Sequence, residues 1–104
     1  MPHQDVVRTM SDQLSVRLSG DCTVRSIRTL HREIAAALET GAEVSLDCSQ
    51  VERADIAFVQ LVLSAAATAA RQAKRIDLTE ASDVVASAFV RAGLQPRAPF
   101  APVA

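Results

Sequence analysis

Apolar residues change their spacing along this chain, from a strand-like repeat to a helix-like repeat and back. Leu14 to Leu18 alternates apolar and polar side chains, the mark of a half-buried strand. Val24, Ile27, Leu30, Ile34 and Leu38 then recur at helical spacing on one face. The strand-like Glu43 to Asp47 follows, then a second helical stretch from Asp55 to Lys74, a short strand over Arg75 to Thr79, and a last helix opened by Ser82. With a further strand-like piece around Val6 to Met10 and a polar turn before Leu14, the order reads β-β-α-β-α-β-α. Strands separated by helices become parallel neighbours joined by right-handed crossovers, and the opening hairpin adds an antiparallel edge. The expected fold is an α/β domain: a mixed four-stranded sheet with about three helices packed on it.

Local chemistry fixes several boundaries in this reading. Gly41 is placed to end the first helix in a left-handed conformation, and Gly93 followed by Leu94 fits a Schellman ending of the last helix. Asp55 and Ser82 are placed as helix N-caps, and Asp83 lies where the helix dipole favours an acid. On the second helix, Val59, Val62, Leu63, Ala66, Ala70 and Ala73 form a core-facing stripe. The chain has 104 residues, enough for one domain and too few for two. That domain is expected to span residues 1–94. Residues 95–104 carry three prolines and read as a flexible tail.

Composition narrows the functions available. A formal net charge of −1 gives no global field for nucleic acid or an anionic membrane. The chain has three Phe and no Trp or Tyr, too few stacking platforms for single-strand binding. The longest apolar run, residues 56–70, contains Gln60, Ser64 and Thr68 and is too short to span a bilayer. The N-terminus has no basic stretch leading into an apolar core, so a cytoplasmic location is expected. Cys22 and Cys48 match no zinc or redox spacing and read as small buried hydrophobes.

Candidate functional residues cluster after the third strand. In such sheets the carboxyl ends of parallel strands form the functional edge. Asp47, Glu52 and Asp55 fall in or beside one expected loop there, with Ser49 between them. A carboxylate pair could act as acid and base, but no nucleophile, metal cluster or glycine-rich phosphate loop accompanies it. His3 lies in the terminus and His31 on the first helix, with no base–nucleophile pairing. Catalytic residues, metal ligands and cofactors are therefore expected to be absent. On the second helix Phe58, Leu61 and Ala65 form an apolar stripe apart from the first. That pattern leaves two readings open: one wide buried arc, or an exposed docking patch anchored by Phe58.

The segment Val44 to Val51, followed by Ala54 to Leu63, resembles the STAS family. That family includes anti-sigma factor antagonists, with relatives in chemotaxis systems and among the small subunits of lipid transporters. Its pattern is a strand ending in Asp, a short loop with a hydrophobic residue, then Asp-Ser-Ser/Ala-Gly-Leu opening a helix. Asp47, Val51, Asp55, Ala57, Val59 and Leu61 fall on it; Leu18 to Gly20 and Phe89 to Leu94 look like the family's opening strand and closing helix. The resemblance implies a non-catalytic regulatory module of bacterial signalling that docks on a protein partner. Together with the loop and the second apolar stripe, it makes Asp47, Ser49, Asp55, Ile56, Phe58, Leu61 and Ala65 the expected partner-binding residues. The partner would be an anti-sigma factor of the kinase type or a chemotaxis component; the alternative is a transporter ATPase. The family's phosphorylatable Ser or Thr falls on Ile56, which has no hydroxyl, so the usual phosphorylation switch is expected to be missing.

Overall fold

A computed structural model describes residues 6–8 and 13–103. Its elements run β1 (Val6–Arg8), β2 (Gln13–Cys22), a 3-10 turn (Val24–Ser26), α1 (Ile27–Thr40), β3 (Glu43–Ala54), α2 (Ile56–Arg71), β4 (Arg75–Thr79) and α3 (Asp83–Arg91). His3, Ser11 and Asp12 lie outside the described residues. The body of the sheet is three parallel strands, β2, β3 and β4, and β1 pairs antiparallel with β2. Register carries the hydrophobic pattern across the strands. Leu14, Val44 and Ile76 are lateral neighbours, as are Val16, Leu46 and Leu78, and all six are buried. Alternation then places Ser15, Ser45 and Asp77, and Arg17, Asp47 and Thr79, on the opposite, polar face.

The third strand is longer than its sequence suggests. Residues 48–54, read as a loop, continue β3 and keep pairing with β2 through two irregularities. Arg17 pairs with Asp47 but Ser19 with Gln50, and Gly20 pairs with Val51 but Asp21 with Arg53. Each step leaves one extra residue on β3, so the strand bends. Gly20 sits at the second irregularity with φ +70, a backbone conformation that favours glycine.

The second helix corrects the two-stripe expectation. Phe58, Leu61 and Ala65 are buried along with Val59, Val62 and Ala69, so Phe58 is no exposed anchor. The reason is the number of neighbours. α2 packs on β3 and β4, and also against α1 and α3. A helix with neighbours on several sides buries a wide arc. Phe58, fully buried, meets Phe89 of α3 edge to face, ring centroids 6.5 Å apart. The helix ends at Arg71, and Ala73, expected in the core, is exposed and left-handed with φ 58.

Two further expectations are corrected at chain ends. Gly41 is extended, with φ −128, and closes α1 by donating its N–H to the Ala37 carbonyl. Residues 95–103 are docked rather than loose. Phe100 is buried and stacks on Phe89 with centroids 5.6 Å apart, while the Ala98 amide donates to Asp77 Oδ1 at 2.8 Å. The strap returns to the end of α3 through the Gln95 N–H to the Ala101 carbonyl and the Val103 N–H to the Gly93 carbonyl. Composition alone mistook it because prolines stop regular elements but do not prevent packing of the one large apolar residue between them. The Schellman ending is present: Gly93 has φ +83 and Leu94 N–H reaches the Phe89 carbonyl at 2.9 Å.

Candidate docking surface

The start of α2 is built around Asp55. Ala54 ends β3, and the following backbone at Asp55 is extended, the usual state of an N-cap. One carboxylate oxygen accepts the Phe58 amide at 3.2 Å, satisfying a donor the helix leaves unpaired. The other accepts the amide of Val24 at 3.0 Å, thirty-one residues earlier in the chain. Asp55 therefore caps α2 and pins the turn that precedes α1. That turn is further held by Asp21, which accepts both the amide and the hydroxyl of Thr23. The Thr23 hydroxyl is the chief reason the Asp21 carboxyl lies below its usual pKa, with Arg53 and Arg25 nearby adding to it.

The pinning has a consequence for two aliphatic side chains. Val24 shares the helical spacing of the first helix's apolar face, but its turn is 3-10 rather than α, and the side chain is 63% exposed. Ile56, the first residue of α2, is 55% exposed. Fixed on either side of one carboxylate, both present apolar surface that the fold itself does not use. Val90 on α3 is exposed as well. Val24, Asp55, Val84 and Arg91 line a shallow cleft of about 660 Å³ between the two helix starts and α3. No sequence signal marked Val24, because exposure of a helical-period residue depends on the kind of turn that carries it.

The other predicted residues are not gathered there. Asp47 lies on the polar sheet face, accepts the Ser49 amide at 2.9 Å and faces the Arg17 guanidinium at 3.8 Å. Ser49 is exposed beside it. Because β3 continues to Ala54, roughly 20 Å of strand separates Asp47 from Asp55. The expected cluster of three acids in one loop is therefore dispersed along a strand. Phe58, Leu61 and Ala65 lie beneath the surface, and only Ile56 among the expected α2 contacts is well exposed. Ser82 stands at the N-cap position of α3, but its hydroxyl donates to the Val51 carbonyl at 2.9 Å instead of capping. It ties α3 to the bent end of β3.

Both thiols are interior. Burial is the main cause that pushes Cys22 and Cys48 up to about 12. Among the described residues no group of three His, Cys, Asp or Glu is arranged to hold a metal ion, and no helix is long and apolar enough to cross a membrane.

Comparison with known proteins bears on this arrangement. A family model described as "Mlab, STAS domain" matches residues 6–96. No curated protein matched. Among solved structures, the unphosphorylated anti-sigma factor antagonist SpoIIAA superposes with a TM-score of 0.72 at 18% identity, covering 86% of this chain and 80% of that one. The phosphorylated form of the Bacillus cell fate determinant SpoIIAA gives 0.67 at 17% identity, over 86% and 83%. Mglu gives 0.62 at 14% identity, over 77% of this chain but only 20% of that one. At such identities the structural likenesses speak for the fold.

Proposed function

This chain belongs to the STAS domain family, and from that membership we propose that it is a non-catalytic regulatory module, resembling the anti-sigma factor antagonists, that docks on a protein partner. The observation that carries the reading is the pair Val24 and Ile56, exposed aliphatic side chains on backbone that the Asp55 cap ties together. Apolar anchors fixed by the scaffold lose little entropy on binding, which suits an interface centre. The absence of catalysis is supported by what the polar groups already do. Asp47 and Asp55 are engaged by backbone amides on separate parts of the fold, and both thiols are buried and held protonated.

The partner is proposed to be an anti-sigma factor of the kinase type or a chemotaxis component, in the cytoplasm of a bacterium. A second reading draws on one residue. Ile56 occupies the position where the family resemblance places a phosphorylatable hydroxyl, and it has none. A module without that switch suits a permanent role, such as a small subunit supporting an ABC-type lipid transporter ATPase. Purification of the tagged chain from its native host separates the two. A kinase-like regulator supports the first, and an ATPase accompanied by a lipid-binding protein supports the second. Loss of that partner from Ile56→Glu, with the melting curve unchanged, is expected in both. Retention of the partner by a folded Ile56→Glu would sink the docking surface.

A further inference from the structure

A second surface lies away from the α2 start. α1 and α2 leave between them an open furrow of about 840 Å³, continued by a smaller hollow of about 170 Å³. His31, Ala35, Glu39 and Leu61 line both, so the two are one groove. Its floor is apolar, formed by Ala35, Leu61 and Ala65. Its walls are unlike. The α2 wall carries Ala57, Gln60 and Ser64, and α2 has no charged residue before Arg71. The α1 wall carries Arg28, His31 and Arg32, which form no salt bridge among the described residues.

The basic wall runs against the interests of the helix that bears it. α1 has no acid in its first turn, and Arg28 sits there at the positive end of the helix dipole. Arg28 and Arg32 are four residues apart, where like charges repel. Among the described residues Glu39 is the one acid lining the groove, and it lies towards the far end of α1. α2 and α3 carry a base in the last turn, and α3 an acid in the first, so the reversed charge on α1 is an exception of the kind that falls at functional sites.

We propose that this groove receives an acidic amphipathic helix of a protein partner, its apolar side on the floor and its carboxylates against Arg28, His31 and Arg32. The occupant is a helix because both walls are helices with satisfied backbones. No strand edge is offered there, so the guest must pair its own amides. α1 has 14 residues, which gives a groove of about 20 Å, the length of a helix of about the same size. A bilayer is disfavoured, because a flat surface cannot enter a concave furrow and the most exposed aliphatic residues, Val24 and Ile56, lie elsewhere. The inference rests on the reading of this chain as a protein-binding module, and it adds a second contact surface and its chemistry.

The test displays a library of amphipathic helices of about sixteen residues, with the polar positions drawn from Asp, Glu, Lys, Arg and Ser, against the full chain. Selected helices are expected to be rich in Asp and Glu. Their affinity should fall at least about tenfold on Arg28→Glu and weaken as salt rises. The same variant should melt higher than the parent, because it complements the dipole and turns a repulsive pair into an attractive one. No enrichment, enrichment without acids, or binding indifferent to Arg28→Glu would overturn the proposal. So would co-sedimentation with phosphatidylglycerol vesicles that Arg28→Glu abolishes, which would assign the basic wall to a membrane. Helices or a native partner lost on Ile56→Glu but not on Arg28→Glu would remove the groove and leave the docking reading standing.

Discussion

Asp55 serves two elements with one carboxylate, and its neighbours show how far a residue's role can be read before folding. Its spacing already marked it as a helix cap, since the requirement is local. Its second bond, to the Val24 amide, joins segments thirty-one residues apart and leaves no local trace. The thiols were legible from residue type alone: with no zinc or redox spacing, cysteine is a small hydrophobe that tends to be interior, and Cys22 and Cys48 are fully buried. Their burial has a measurable consequence. Below the ordinary thiol value of 9.0 both folded and unfolded chains hold these protons, and stability does not depend on them. As pH rises from there towards about 12, the unfolded chain releases protons that the fold retains, so the fold loses stability. Denaturant titrations between pH 8 and 11 are expected to show this decline, and a Cys22→Ala/Cys48→Ala variant to show a shallower one. Equal slopes in the two proteins would remove the thiols as the cause.

Elements were most legible where one neighbour decides burial and least where several do. The helices, and β4 with its alternating burial, follow from their own periods, as does the Schellman ending at Gly93. At Phe58, Leu61 and Ala65 the period of α2 left a buried arc and a docking patch both open, because it does not tell that α1 and α3 pack on the helix as well as the sheet. β3 was cut short because its irregularities, at Cys48 and Ser49 and then at Glu52, break alternation without ending pairing. The end of α2 carries an avoidable strain. Lys74 N–H bonds to the Ala69 carbonyl across Ala73, a Schellman geometry with alanine in the left-handed position. Ala73→Gly is expected to stabilise the domain by about 1 kcal/mol, read as a rise in the urea midpoint at unchanged slope. An unchanged or lower midpoint would mean that this turn relaxes in solution. The strap offers a sharper contrast. Phe100→Ala is expected to cost about 3 kcal/mol, the scale of a buried aromatic. A loose tail would give no change.

At the scale of the whole molecule, the fold divides its apolar residues cleanly. One face of the sheet and the inner arcs of three helices share a single core, reached at its far end by Phe100. Among the described residues, the large aliphatic side chains left exposed are Val24 and Ile56 beside the start of α2, Val90 on α3 and Val103 on the strap, with a groove and a basic wall along α1. The account thus separates two neighbours on α2 that the sequence placed together. Phe58 belongs to the fold, and Ile56, which is exposed, is assigned to the partner by the proposed function. The most direct measurement sets Phe58→Asp and Ile56→Glu side by side, with thermal melts of each and calorimetric titration against the partner purified from the native host. Phe58→Asp buries an unpaired charge and is expected to abolish the melting transition. Ile56→Glu is expected to melt like the parent and to lose at least about 2 kcal/mol of binding, some thirtyfold in affinity. A folded Phe58→Asp, or an Ile56→Glu that binds with parental affinity, would contradict the account.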